Sequence, residues 1–363
     1  MKFIHIDRLF GKNWKKVLSV IIPVAVFLFS AEVSLAGSSP LAVRMASVAY
    51  PKGKEIVLSG EAAIIQNDPV LKADLQKLGA HLEWVPAPTQ SVAATINEAF
   101  ASGGIEFAHY GDLPSVILNA GGIGTTIVAP GGAGTNVYLI VPIQSTAKSI
   151  EDLKGKRIAL HRGRPWEYPF ARLLQASGFK FSDFNIKNLN PQAGAAALAS
   201  GDVDALVTLM DVFPLVDKGI AKVLWSSKTP GQPWRIRTEL WASKAFVQHH
   251  PDVTQAIVNA HVRAAHWISQ KENFDEYIRL TTRSGQPEAL IRQDYLNEIV
   301  SWKDRWEPSF SGVLEHYQGV AGYAKASGLV RREVDAAGLL ETKFVQRALK
   351  DLKLQNYWHN GKQ

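Results

Sequence analysis

From residue 54 onward, short apolar runs closed by glycine alternate with segments whose apolar residues recur every three to four positions. KEIVLSG (54–60) reads as a strand running into a loop, and DPVLKADLQKLGA (68–80) as an amphipathic helix stopped by Gly79. HLEWVPA (81–87) alternates as a strand does, SVAATINEAFASGG (91–104) is helical, and IEFAHYG (105–111) is a buried strand. DLPSVILNAGG (112–122) follows as a helix with Asp112 as N-cap, then TTIVAP (125–130) and NVYLIVP (136–142) as strands. The alternation restarts with SIEDLKGK (149–156, a short helix), RIALHRG (157–163, strand) and EYPFARLLQASG (167–178, helix). FNIKNLN (184–190, strand), AGAAALASGD (193–202, helix) and VDALVTLM (203–210, strand) complete this second series. ELWASKAF (239–246) is a last strand and turn; PDVTQAIVNAHVRAAHWISQ (251–270) is a long amphipathic helix opened by Pro251, and the chain reads as helical to residue 352.

Strands and helices in this order, joined by short glycine-marked turns, predict parallel α/β architecture. The strands fall into two groups with a return strand near residue 240, which predicts two lobes with a ligand cleft between them. One lobe is expected to combine 44–138 with 238–355, including the C-terminal helices, and the other to span 139–237.

The amino terminus follows a different pattern. GKNWKK (11–16) precedes the apolar run VLSVIIPVAVFLF (17–29), and SLAG (34–37) places small residues around a cut after Ala36. This is the order of a secretory signal peptide, and the run is shorter than the roughly 18–20 residues of a membrane span. Residues 1–36 are therefore expected to be removed on export. They also carry Lys2, Arg8, Lys12, Lys15 and Lys16 against Asp7 and Glu32, so +3 of the formal +7 belongs to them and +4 remains, without a basic run. That remainder argues against nucleic acid as a partner.

The 363 residues contain no cysteine, which excludes disulfides, thiol nucleophiles, thiolate metal sites and a lipid anchor on an N-terminal cysteine. Export without such a tether points to a Gram-negative periplasm. No metal is expected: His261 and His266 are five residues apart, and no carboxylate stands at ligand spacing from them. The segment GGIGTTIVAPGGAGTN (121–136) matches neither glycine-rich nucleotide-binding motif, and no G-x-S-x-G is present. No cofactor is expected.

Three strand ends run into helix starts where a ligand could approach free backbone N–H groups: Gly60–Glu61, Tyr110–Gly111–Asp112 and Gly163–Arg164. Trp166 and Trp234 are expected in cleft loops as aromatic walls for an apolar group.

The run SIEDLKGKRIALHRG…EYPFARLLQASGFKFSDFNI…GDVDA resembles the second lobe of periplasmic substrate-binding proteins of ABC transporters, specifically the alkanesulfonate, taurine and nitrate group. IEFAHYGDLPSVILNAGG and ELWASKAFVQHHPDV are similar to that group's first-lobe segment and return strand, and the likeness spans roughly residues 55–260. The resemblance implies a type II, venus-flytrap fold and an exported, monomeric receptor. Such a receptor captures a small anionic or zwitterionic ligand and presents it to an inner-membrane permease, without catalysis. By position it implies that Gly111 and Asp112 line the cleft, that Asn136 sits at the lobe crossing near ligand, and that Asp211 contacts ligand or caps the next segment. Arg237, just before the return strand, is a further candidate.

This chain departs from the group at RGRPWEY (162–168), where small hydroxyl residues and a histidine are replaced by arginine, proline and Glu167. Arg164 could clamp an anion with two parallel hydrogen bonds. The acidic candidates Glu61, Asp112, Glu167 and Asp211 keep an amine-bearing ligand open, as nitrate and aromatic carboxylates also remain. The other classes considered are an enzyme resembling the pyrimidine-synthesis proteins of this fold, and a signalling sensor.

Overall fold

The longest strand, β1 (Leu41–Lys52), lies just after the expected signal peptide, where the sequence reading placed no element. It is described by a computed structural model covering residues 39–52, 55–89, 91–232 and 234–359; the expected signal peptide and its cut lie outside the described residues. β1 pairs with β2 (Glu55–Leu58), β3 (Ala80–Pro88) and β4 (Phe107–Gly111), and the sheet continues through β11 (Thr238–Ser243) to β5 (Thr125–Ala129). A second sheet has the order β10 (Ala221–Ser226), β6 (Tyr138–Pro142), β9 (Ala205–Thr208), β7 (Arg157–Leu160) and β8 (Asn185–Lys187).

Both sheets carry the parallel strands expected of α/β architecture together with antiparallel members, so both are mixed. β1 runs parallel to β3 and β4, whereas β11 is antiparallel to β4 and β5. In the second sheet β7 is parallel to β8 and β9, and β6 is antiparallel to β9 and β10. Apart from β2, which pairs antiparallel with β1 as a hairpin, the reversed strands are β6 and β11, the first strand after each crossing, so the direction reverses where the chain changes lobe. β10 was also missed in sequence; its one large anchor, Trp225, is buried while Val223 is exposed.

Helices cover both faces of each sheet: α1 (Glu61–Ile65), α2 (Pro69–Lys77), α3 (Val92–Ala101) and α4 (Asp112–Ala120) in the first part. α5 (Glu167–Ala176), α6 (Pro191–Ser200) and α7 (Phe213–Asp217) serve the second sheet. After β11 come α8 (Lys244–His249), α9 (Pro251–Ser269), α10 (Phe274–Thr282), α11 (Glu288–Tyr295), α12 (Trp302–Arg305), α13 (Val313–Ala326) and α14 (Lys343–Asp351). Two-sided cover explains why the strands read as continuous apolar runs. Val43, Met45, Phe107 and Leu240 meet α9 and α14 on one face, while Ala46, Ala108 and Trp241 meet α4 and α13 on the other. In the second sheet Leu139, Ile158 and Val207 pack under α5, and Ile140, Ala159 and Leu206 face α6 and α7.

The lobes also exchange side chains. Tyr168, on α5 of the second sheet, is buried in the cluster beneath α13, and Leu290 of α11 is buried against Val212 and Phe213 of the second lobe. Two crossing segments, 130–137 and 227–237, join the sheets and pair with each other through Thr135 and Ile236. This explains the glycine run that resembled a nucleotide loop. A Cβ on Gly132 or Gly134 would lie 2.1 Å from the carbonyl oxygen of Arg305 or Ile236, and both glycines have positive φ. Close packing of the hinge backbone requires them.

A candidate ligand-binding cleft between the lobes

The space between the sheets forms two adjoining chambers. The inner one, about 360 Å³, is bounded by the ends of β1 and β4, the start of α1, the loop after β7, and helices α10 and α11. An outer one of about 700 Å³ opens toward α6 and the loop after β9. Tyr50, Val92, Arg164, Trp166, Leu209, Met210 and Gln286 border both, so Arg164 and Trp166 stand at the waist between them.

Arg164 is the unusual group. Its guanidinium lies 5.2 Å from the Trp166 ring centroid, its Nε is buried with no hydrogen-bond partner, and no carboxylate pairs with it among the described residues. Burial pushes its pKa below the usual guanidinium value. The indole Nε1 of Trp166 is likewise buried without an acceptor. Unpaired buried donors cost free energy unless a ligand satisfies them. Arg305, the other cation of the inner chamber, is already paired with Glu298 at 3.0 Å.

Two acidic residues, Glu61 and Asp294, also line the inner chamber. Burial raises the pKa of both, with nearby His261 the main opposing influence on Glu61 and a hydrogen bond from Tyr138 that on Asp294. No cation pairs with the Glu61 carboxylate among the described residues. The phenols of Tyr277 and Tyr295 sit beside it, 3.4 Å apart. His109 completes the wall, its ring stacked 5.7 Å from that of His261, neither nitrogen bonded, and its pKa lowered to about 3 by burial and then by His261.

Of the residues singled out in sequence, Gly60, Glu61, Gly111, Arg164 and Trp166 line the inner chamber, and Asp211 lines the outer. Asp211 accepts from the Thr208 hydroxyl at 3.0 Å and the Leu209 N–H at 3.1 Å, and so also caps its own turn. Tyr110 turns its hydroxyl away, to Asn97 at 2.7 Å. Asn136 is wholly buried in the hinge, and Gly163, Glu167, Asp112 and Arg237 border neither chamber. Trp234 packs on Trp225 and under Arg172 rather than in the cleft.

Two helix N-termini expected to hold an anion are filled by the chain's own carboxylates. Gly111, not Asp112, is the N-cap of α4; Asp112 lies inside the first turn, where it accepts from the N–H groups of Leu113 (2.7 Å) and Arg237 (3.0 Å) and pairs with His316 (2.8 Å). At α5, Glu167 is fully buried and accepts from the N–H of Gly163, from Arg162 Nε (2.8 Å) and from the Tyr323 hydroxyl (2.6 Å). The third, at α1, belongs to a helix of only five residues. Of these three loops, only the one after β7 presents the chamber with a cation, Arg164, that has no carboxylate partner among the described residues.

Sequence reasoning missed Tyr50, His109, Tyr277, Tyr295, Arg305 and Trp306 as lining residues. His109 lay inside a strand read as plain core. The others, Tyr50 apart, come from C-terminal helices whose approach to the cleft is set by tertiary packing and leaves no local signal.

Two mixed α/β lobes, two hinge crossings and a ligand-sized chamber between them define a type II periplasmic-binding-protein fold. The model of the NMT1/THI5-like family matches residues 85–273, and the chain belongs to that family. A crystal structure from Methylobacillus flagellatus KT, described as the periplasmic sulfonate-binding protein of a sulfonate ABC transporter, is 48% identical with a TM-score of 0.82. The alignment covers 88% of this chain and 97% of that one. The aliphatic sulphonate-binding protein of Escherichia coli shares the fold at 21% identity and a TM-score of 0.64, over 84% of this chain and 93% of that one. The taurine-binding periplasmic protein of E. coli K12 is 28% identical over 222 residues, 59% of this chain and 67% of that protein.

Proposed function

We propose that this protein is the solute-binding component of an ABC importer that captures a small organic anion, an aliphatic sulfonate or a taurine-like compound, in the inner chamber. It then delivers the ligand to an inner-membrane permease without turnover. The observation that carries the reading is Arg164: a half-buried cation on an indole face, with no acidic partner among the described residues, at the waist of a chamber formed by both lobes. A sulfonate would offer its guanidinium and the Trp166 N–H the acceptors they lack. The aromatic and apolar remainder of the chamber suits a substituent larger than nitrate, which would leave most of about 360 Å³ unfilled. The protein of known structure that is 48% identical is itself described as sulfonate-binding.

A second reading has its own support. Glu61 forms no ion pair among the described residues, so a ligand with an amine beyond its sulfonate would find an acidic group as well as Arg164 in the chamber. In either case the mature chain acts in the periplasm as a monomer, starting near Gly37.

Calorimetric titration of the mature chain with 1-butanesulfonate, taurine, nitrate and benzoate tests this. Binding and thermal stabilisation by a sulfonate is expected, with taurine tightest if Glu61 meets an amine. No response to any of these anions overturns the anion reading, and consumption of a bound compound would make the protein an enzyme. N-terminal sequencing of the exported chain checks the cut after Ala36.

A further inference from the structure

The loop that carries Arg164 is fastened to the opposite lobe. It begins after β7, turns at Gly163 with φ near +72°, and enters α5 at Glu167. Three donors converge on the buried Glu167 carboxylate: the Gly163 N–H, Arg162 Nε at 2.8 Å, and the Tyr323 hydroxyl at 2.6 Å. The first two lie in the loop itself and fix its turn. Tyr323 lies on α13, whose Val320, Ala321 and Ala324 are embedded in the core of the first lobe. The only group that reaches this carboxylate from the first lobe, among the described residues, is therefore a single phenol.

Packing around the bond is tight. Tyr168 sits against α13 so closely that a Cβ on Gly319 would lie 2.0 Å from its hydroxyl, and its ring meets His316 edge-on at 5.6 Å. Small shifts between α5 and α13 are thus resisted, and any separation of the lobes along this seam must break the Tyr323 bond.

We propose that the Tyr323–Glu167 hydrogen bond is a closure latch: it forms when the lobes meet and, through Glu167, locks the loop that presents Arg164 to the cleft. Tyr323 and Glu167 are positioning residues, and the proposal rests on the reading of Arg164 as a ligand contact. Ligand held by Arg164 favours the locked loop, the locked loop favours closure, and closure slows release. A hydrogen bond to a carboxylate in a buried site is strong enough to matter for this balance.

The test is Tyr323→Phe in the full mature chain, which keeps the ring and removes only the donor. Without ligand, amide hydrogen exchange at residues 162–166 should become about tenfold faster, the scale set by one hydrogen bond to a charged group. Exchange within α13 should stay unchanged. Stopped-flow tryptophan fluorescence with 1-butanesulfonate should show dissociation about tenfold faster and association changed less than about twofold. Unchanged exchange at 162–166, or faster exchange spread through α5 and α13 with a lowered melting temperature, would make the contact ordinary packing and overturn the latch. Should the unaltered protein not bind 1-butanesulfonate, the ligand reading fails while the exchange comparison still decides whether Tyr323 locks the loop.

Discussion

Gly111, at the end of β4, and Pro165, in the loop after β7, touch across the cleft: a Cβ on Gly111 would stand 2.6 Å from Pro165 Cγ. Gly111 has an ordinary φ of −72°, so alanine would be free of backbone strain there, and the cost is purely the clash between lobes. Overpacking of this size costs about 1–3 kcal/mol in a fixed structure. Opening the lobes relieves it.

Gly111→Ala should therefore leave the melting temperature of the ligand-free protein nearly unchanged while weakening ligand binding about five- to a hundredfold. Titration calorimetry measures the second effect. Small-angle scattering should find the ligand-bound variant more expanded than the unaltered protein. A variant that binds normally would show that the lobes do not close to this contact.

Arg164→Ala separates binding from stability. The guanidinium is desolvated and receives no compensating carboxylate among the described residues, so it contributes little to folding. Its removal should leave the ligand-free melting temperature unchanged or raised. Binding should fall at least tenfold, as expected from losing about 1.5–3 kcal/mol of charged hydrogen bonding. Equal loss of stability and affinity would make Arg164 a structural residue.

The sequence showed the lobes well because their strands are short apolar runs separated by glycine turns, a pattern that survives without knowledge of pairing. It hid β1, whose residues follow directly on the apolar amino-terminal run and whose Ala, Ser and Arg dilute the apolar signal, although Val43, Met45 and Ala46 are fully buried. The site was half legible. Arg164 and Trp166 stood out because a basic, aromatic loop before a helix has few structural uses. Glu167 was read as a further acidic candidate at the cleft; its burial against Tyr323, 156 residues away, is a tertiary contact that no local pattern announces.

His109 should give the protein an acid-sensitive component of stability. Its folded pKa of about 3 lies below the unfolded value of about 6.5, so the unfolded chain binds the proton more readily between those values. Stability contributed by the neutral ring is complete above pH 6.5 and is lost as pH falls toward 3, by about 3 kcal/mol between pH 7 and 4. Glu61 and Asp294, whose pKa values are raised, act in the opposite direction, so the difference between variants is the useful quantity. His109→Gln should flatten the fall in melting temperature between pH 6.5 and 4, whatever its effect at neutral pH. Parallel curves for the two proteins would show that His109 titrates normally.

Asn136 should matter to the hinge and not to direct ligand contact. Its carboxamide oxygen accepts from Arg235 Nε at 2.9 Å and Ser227 Oγ at 3.1 Å, and its nitrogen donates to the Asp294 carbonyl at 3.1 Å and to Glu298. Asn136 sits in one crossing segment and its partners come from the other and from the α11 region, so one buried amide ties the hinge together. Asn136→Ala leaves a buried arginine and a buried carboxylate each short of a partner, a loss of about 2–4 kcal/mol. At about 2–4 °C per kcal/mol for a chain of this size, the melting temperature should drop by roughly 5–15 °C. Ligand affinity measured well below that temperature should change less than for Arg164→Ala. A variant that kept its melting temperature but lost binding would instead place Asn136 at the ligand.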